Sequence, residues 1–266
     1  KFDKVIKVSG DKSISIRCVL LASQAIGKSK IYNLLESEDV ISTLKSIKKL
    51  GINYKKIKNY YEIRGFGLKG FNTKNKVILN AGNSGTFARL VLGLLVDSEN
   101  EITITGDKSL SRRDFSRVTN PLKMFGATLK SKEDQLPVKI RGSQFLRPIE
   151  YFEKLGSAQC KSSVILAALK TPGLTRIKAK KSRNHTELLL KSLKLPIQTS
   201  SSKYFDYIKI KGQNNFGSFN YSVPGDISSC SFFLVLTLLS SNSKLKIKNI
   251  NINKSRIGIL KILNKM

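Results

Sequence analysis

The chain has 266 residues, 40% of them hydrophobic and 25% charged, and its 48 Lys and Arg outnumber 18 Asp and Glu for a net charge of +30. That composition suits a soluble globular chain with one large or two moderate cores, and its longest apolar run, from Phe232 to Leu239 with Thr237 inside it, is too short for a membrane-spanning helix of about 20 residues. Three cysteines with no close pair and a single histidine exclude a disulfide framework and a Cys–His metal cluster, and "KFDKVIKVSG" lacks a signal peptide's apolar core.

The lysines are scattered through every segment, as in "LKSIKKLGINYKKIKNYYEIRG", with no separate basic arm. Compositional bias together with small anionic ligands accounts for them better than nucleic acid. Taken in chain order, the elements repeat. "DKSISIRCVLLASQA" from Asp11 reads as an apolar helix with a small polar head, "KIYNLL" as a strand, and "SEDVISTLKSIKKLG" as an amphipathic helix stopped by Gly51. "INYKKIKNYYEIRG" then reads as two strands across a polar turn, ending at Ile63-Arg64-Gly65.

The same succession returns in "NSGTFARLVLGLLV" from Asn83, "EITITG", "SRVTNPLKMFGA" and "ATLKSKEDQLPVKIRG". It returns again in "SAQCKSSVILAALK" from Ser157, "LTRIKA", "SRNHTELLLKSLKLP" and "IQTSSSKYFDYIKIKG". A fourth pass, "DISSCSFFLVLTLL" from Asp226, "KLKIKNI" and "SRIGILKILNKM", reaches Met266 where its hairpin should begin. The helix heads are 72, 74 and 69 positions apart. The unit reads as β-α-β-α-β-β, with three units complete and a fourth partial, and the expectation is a chain lacking its C-terminal part.

The heads of the first helices carry the chemistry. Asn83, Ser157 and Asp226 are natural N-caps. Capping does not account for Lys12, Arg17, Arg89, Arg113 or Lys161, because a helix start already bears partial positive charge. Ser13 and Arg17 are four apart and share a face. If the units pack side by side, several helix starts converge into an anion site, which Lys and Arg strengthen for phosphate and carboxylate. Gly85, in "NSGT", admits a ligand close to the backbone. Cys18, Cys160 and Cys230 read as buried apolar residues and His185 as structural.

"GDKSISIR", "GNSGTFARL", "GDKSLSRR", "SAQCKSS", "SRNHTE" and "PGDISSCSFF" stand in the order found in the 5-enolpyruvylshikimate-3-phosphate (EPSP) synthase family, which the chain resembles from about Lys7 to Met266. The resemblance implies the enolpyruvyl transferase fold: two domains of inverse α/β barrel type, three units each. Residues 11–225 would form a three-unit domain binding shikimate 3-phosphate, and residues 1–10 with 226–266 a fragment of the second. It also implies transfer of the enolpyruvyl group of phosphoenolpyruvate to the 5-hydroxyl of shikimate 3-phosphate, in the cytoplasm, by a monomer, with no metal or organic cofactor.

By the same resemblance Lys12 is catalytic and contacts both substrates, and Ser13 and Arg17 hold shikimate 3-phosphate. Gly85 and Arg113 fall at the phosphoenolpyruvate site. Ser157, Ala158 and Gln159 match the contact against the substrate ring and phosphate. Ser182 matches a phosphate contact with Arg183 beside it, although Ser182 also reads as a cap for the following helix. Asp114 stands where the family usually has Pro, and a carboxylate there would offset Arg113. The family's acid and base carboxylates lie beyond Met266, so the expectation is that the 1–266 chain by itself is not competent in catalysis.

Two rivals make different predictions. The UDP-N-acetylglucosamine enolpyruvyl transferases share fold and donor, but usually have Lys-Asn in place of Lys12-Ser13 and a reactive loop cysteine. A basic nucleic-acid-binding protein would bind polyanions with a steep salt dependence, yet the linear sequence offers no obvious aromatic platform for stacked bases.

Overall fold

The first helix of each repeat is apolar on nearly every side, and such a helix has to be covered all round. The computed structural model describes residues 1–266 and shows how the repeats do it. Strand β1 (Asp3–Lys7) opens the chain. The first unit follows with α1 (Lys12–Gln24), β2 (Ile26–Tyr32), α2 (Glu38–Lys49), β3 (Asn53–Ile57) and β4 (Tyr60–Phe66). The second has β5 (Val77–Asn80), α3 (Gly85–Leu94), β6 (Ile102–Thr105), the short α4 (Lys108–Ser111), α5 (Ser116–Met124), β7 (Thr128–Lys130) and β8 (Val138–Arg141). The third has β9 (Glu150–Glu153), α6 (Ala158–Lys170), β10 (Leu174–Lys180), α7 (His185–Ser192), β11 (Ile197–Ser201) and β12 (Phe205–Lys211). Strand β13 (Asn220–Ser222), α8 (Ile227–Leu238), β14 (Lys244–Lys248) and α9 (Gly258–Leu263) complete the chain.

Three four-stranded sheets share one topology: β13-β2-β4-β3, β5-β6-β8-β7 and β9-β10-β12-β11. In each, the opening strand runs parallel to the strand after the buried helix, and the hairpin adds two antiparallel strands. The β-α-β-α-β-β unit is therefore present, and its opening strand is the part the sequence pattern had not located. For the first unit that strand is β13, from far along the chain. In the same way β1 pairs in parallel with β14, so the N-terminal strand serves the fourth unit. The two connections cross at an antiparallel bridge between Gly10 and Gly225. There the Asp11 N–H donates to the Pro224 carbonyl at 2.8 Å and the Asp226 N–H to that of Ser9 at 3.0 Å.

Helices α1, α3 and α6 are buried over most of their length, and α3 packs against both of the others. Close approach depends on Gly93: a Cβ there would lie 2.2 Å from the Ser163 carbonyl oxygen of α6. The glycine ending each repeat has a similar reason. A Cβ on Gly65, Gly142 or Gly212 would come within 2.3, 2.1 or 1.8 Å of backbone atoms at the C-terminal end of its own unit's first helix or in the turn just after it. The last strand is thereby seated directly on the helix it covers. One 58-residue apolar cluster results, spanning Ile14 to Val223. Each fully buried Leu, Ile or Phe in it contributes about 1.5–3 kcal/mol. The second helices close the units with one face only, as amphipathic helices do: Val40, Leu44 and Ile47 in α2, Val118 and Leu122 in α5, Leu189 and Leu190 in α7.

Helix α8 has the same apolar composition but a different setting. Val8, Ile227 and Cys230 form a separate small cluster, while Phe232 and Leu239 are 77% and 81% exposed. Cys18, Cys160 and Cys230 are unpaired and buried, and burial raises all three thiol pKa values. No helix is long and apolar enough to cross a membrane.

Two capping expectations change. Ser157 and Asp226 cap α6 and α8 as expected, through the N–H groups of Cys160 and Ser228. In α3 the cap is Ser84, accepting from the Phe87 N–H, and the Asn83 side chain turns instead to Asp107 and Arg113. Ser182 does not cap α7, which begins three residues later at His185.

Candidate functional site

Four helix starts meet at one cavity of about 440 Å³. Helix α1 brings Ser13 and Arg17, α3 brings Thr86, α6 brings Ser157, Ala158 and Gln159 after Gly156, and the approach to α7 brings Ser182, Arg183 and His185, with Ser255 at the rim. Helix starts aim unsatisfied N–H groups and positive partial charge at the space between them. The lining includes two arginines and no carboxylate.

Arg17 is 4% exposed and held on its inner side. Its Nε donates to Thr186 Oγ1 at 2.7 Å, Nη2 to Ser162 Oγ at 3.0 Å and Nη1 to the Ser13 carbonyl at 2.9 Å. The two hydroxyls lie 2.7 Å apart and bond to each other. A guanidinium has five N–H groups, so one on each terminal nitrogen is left for a ligand. Burial lowers the Arg17 pKa to about 10, against the opposing pull of Glu187, and the side chain is cationic at neutral pH. Glu187 in turn pairs with the fully buried Lys161 at 2.7 Å, and Asp206 lies 3.8 Å from that ammonium. Lys161 therefore anchors α6 to α7 beneath the cavity and does not reach it.

The start of α6 is shaped by Glu153, 2% exposed, whose carboxylate accepts from the N–H groups of Leu155 at 3.1 Å and Ser157 at 2.9 Å. Gly156 sits at φ +71°, a left-handed turn that side chains resist. Gln159 is locked at both ends of its amide, accepting from Arg89 Nη1 at 3.1 Å and donating to Thr86 Oγ1 at 2.9 Å. Arg89 also lies over the Phe115 ring at 4.7 Å, consistent with a structural reading of that residue.

On the α7 side the Ser182 hydroxyl is buried without a hydrogen-bond partner, a costly state that a ligand oxygen would relieve. His185 Nε2 lies 3.4 Å from the Asn251 amide, which also donates to Asp11 Oδ2 at 3.1 Å, and its Nδ1 has no protein partner. Burial first, and then the Arg17 charge, lower the His185 pKa to about 4, so the imidazole is neutral at pH 7.

Of the ten residues expected at a binding site, seven line this cavity: Ser13, Arg17, Ser157, Ala158, Gln159, Ser182 and Arg183. Gly85 lies next to the lining residue Thr86, beneath two arginines: its Cβ would be 2.8 Å from Arg89 Nη1 and 3.2 Å from Arg113 Nη1. Arg113 bonds Asn83 Oδ1 at 3.3 Å. Asp114 bonds to Ser116 instead: its carboxylate accepts from the Ser116 N–H at 2.7 Å at the start of α5, and the Ser116 hydroxyl first, then this N–H, lower its pKa. Lys12 is the outlier, half-exposed and paired with Asp39 of α2 at 3.0 Å. Thr86, Gly156, His185 and Ser255 join the lining unforeseen, and Ser162, Thr186 and Glu153 support it. Ser162 had one signal, a polar residue inside an apolar run; Glu153 had none.

A second cavity of the same volume, about 440 Å³, lies near the chain crossings and is lined by lysines, tyrosines and asparagines. It gathers no helix start and none of the expected residues. No cluster of three or more His, Cys, Asp or Glu side chains is set to hold a metal ion.

Residues 1–266 match the family model described as EPSP synthase (3-phosphoshikimate 1-carboxyvinyltransferase). A 3-phosphoshikimate 1-carboxyvinyltransferase of Streptococcus mutans is 40% identical over 264 residues, covering 98% of this chain and 61% of the relative. One of Caldicellulosiruptor saccharolyticus is 42% identical over 267 residues, covering 98% and 60%. The EPSP synthase structure from Acinetobacter baumannii superposes with a TM-score of 0.91 at 32% identity, covering all of this chain and 59% of that one. The chain thus spans about three fifths of the length of the relatives it matches.

Proposed function

The chain belongs to the EPSP synthase family, and from that premise we propose that its cavity binds shikimate 3-phosphate beside phosphoenolpyruvate, for transfer of the enolpyruvyl group to the 5-hydroxyl with release of phosphate. The observation that carries this reading is the convergence of four helix starts and two arginines, without a carboxylate, on one cavity. A phosphate dianion there accepts from the two outward N–H groups of Arg17, from Arg183 and from the orphaned Ser182 hydroxyl. The ring hydroxyls fall against Ser157 and the clamped Gln159 amide. Gly85, at the start of α3, and Arg113, between α4 and α5, suit the second anion. Lys12 reaches either substrate by leaving Asp39, a half-exposed pair worth about 1 kcal/mol.

The reaction adds a proton to the enolpyruvyl methylene, removes one from the hydroxyl and then eliminates phosphate. Those steps need positioned acid and base groups, and the lining supplies a neutral imidazole and hydroxyls but no carboxylate. We infer that residues 1–266 alone bind substrate without turnover. Residues 11–225 serve as the shikimate 3-phosphate domain and residues 1–10 with 226–266 as part of a second, a division supported by the two separate apolar clusters and the exposed face of α8. Unpaired, buried cysteines support a reducing compartment, and we assign the protein to the cytoplasm. The same burial weighs against a reactive cysteine of the UDP-N-acetylglucosamine enzymes.

Calorimetry tests the assignment. Shikimate 3-phosphate is expected to bind saturably to the 1–266 chain, Arg17→Lys to weaken it, and UDP-N-acetylglucosamine to give no heat. Absence of saturable shikimate 3-phosphate binding by a folded chain overturns the substrate assignment. Phosphate release from both substrates by purified 1–266 overturns the inference on turnover alone.

A further inference from the structure

The three four-stranded sheets turn very different faces to solvent. On the sheet β9-β10-β12-β11, residues in register share a face. Phe152, Lys178, Tyr207 and Ser200 form one row, Glu150, Arg176, Lys209 and Gln198 the next, and Lys180 with Phe205 a third. Phe152 and Tyr207 are each 40% exposed, in a sheet whose opposite face packs Ile177, Ile208 and Ile210 into the core. A shallow groove of about 320 Å³ runs between the two exposed rings, flanked by Arg176, Lys178 and Lys209. Phe152 and Phe205 meet edge to face at 5.7 Å, and the Lys178 ammonium rests over both rings, at 5.0 and 4.6 Å. The only acid on this face, Glu150, is paired with Arg176 at 3.4 Å.

The other two sheets differ in their rings or in where their acids stand. The face of β5-β6-β8-β7 presents Thr103, Lys139, Arg141 and Lys130 with no aromatic ring. The face of β13-β2-β4-β3 has Tyr32 and Tyr60 with Lys30 5.5 Å from the Tyr60 ring, and Arg64 over the exposed Phe66, but Glu62 stands on its inner strand β4, in register with Lys30 and Lys55 and paired with Lys28.

From this arrangement we propose that the outer face of β9-β10-β12-β11 binds single-stranded nucleic acid, with bases stacked on Phe152 and Tyr207 and phosphates held by Lys178, Lys180 and Lys209. Flat rings with interleaved cations on a four-stranded sheet match unpaired bases on a charged backbone, and every base offers a face to stack. Charge complementarity alone would suit any polyanion; the exposed rings select one with planar groups. Lys178 covers the rings in the free protein, and its flexible stem lets it swing to a phosphate. The site is separate from the cavity at the helix starts. The rings come from strands some fifty residues apart, which is why the linear sequence shows no platform.

The test is fluorescence anisotropy of labelled 12-mers of uridine and of thymidine with the 1–266 protein at fixed ionic strength. Both are expected to bind, ahead of a 12-base-pair duplex and of heparin. Phe152→Ala and Tyr207→Ala should each weaken binding about tenfold without changing the salt slope, while Tyr207→Phe keeps it. Lys209→Gln should lower the salt slope by about one. Arg17→Lys should leave binding intact. If Phe152→Ala fails to fold by circular dichroism, Tyr207→Ala decides alone. Equal binding by wild type and a folded Tyr207→Ala, or preference for duplex or heparin, overturns the proposal and leaves a general polyanion effect of net charge.

Discussion

Two groups of cations in this molecule meet water in opposite ways. In the cavity, Arg17 is almost wholly buried, fixed by two hydroxyls and a carbonyl, and backed by the Lys161–Glu187 pair. On the outer sheet, Arg176, Lys178 and Lys209 stand in solvent beside aromatic rings. A buried cation has its desolvation cost met during folding and keeps an undiminished field for a small anion. Solvated cations are screened within about 8–10 Å at ordinary salt and contribute mainly through number. The first arrangement suits one small, defined ligand, the second an extended and variable one.

The largest test breaks the buried arrangement. Glu187→Ala strands the Lys161 ammonium with only the more distant Asp206, and should cost about 3–5 kcal/mol in urea unfolding. Lys161→Met together with Glu187→Leu should recover most of it, since a matched apolar pair removes both charges.

Acid is the next lever. Unfolded, His185 titrates near its ordinary 6.5; folded, its pKa is held at about 4 by burial and the neighbouring arginines. Between those values the unfolded chain binds the extra proton, so stability falls as pH drops from 6.5 towards 4, by up to about 3 kcal/mol. Unfolding curves at pH 7 and pH 4.5 measure it, and His185→Phe should flatten the dependence over that window.

A smaller effect isolates the positioning of Arg17. Thr186→Val keeps the shape of the side chain but removes the Nε acceptor, and should weaken shikimate 3-phosphate about tenfold, a loss near 1–2 kcal/mol for a charged hydrogen bond. Thr186→Ser should restore affinity, which a merely structural role for the methyl group would not predict. Smallest of all, Lys209→Gln on the sheet should change folding stability by less than about 0.5 kcal/mol. A larger loss there would blur the contrast between the two groups.

Much of the fold could be read from one dimension. The repeat, the buried first helices and the Gly that ends each hairpin were all legible, because periodic burial imprints periodic residues. The opening strands were not. Strands β5, β9 and β13 are short, and β13 belongs in space to a unit that begins two hundred residues earlier, so no local pattern marks it. Part of the site was legible for a similar reason. Arg17 stands where local helix physics alone would not put it, whereas Ser162 and Thr186 act through a partner far along the chain. Ser84 rather than Asn83 caps α3 although the two are equally good capping residues; only the turn geometry separates them.

By itself, then, the chain's chemistry determined the repeating unit, the apolar helices and the cationic helix heads, since each depends on neighbours a few residues away. Which heads meet, which hydroxyls hold Arg17, which strands β1 and β13 pair with and where Phe152 meets Phe205 were decided only by tertiary packing. Those contacts join residues up to 241 positions apart, and their energies depend on distance in space rather than along the chain.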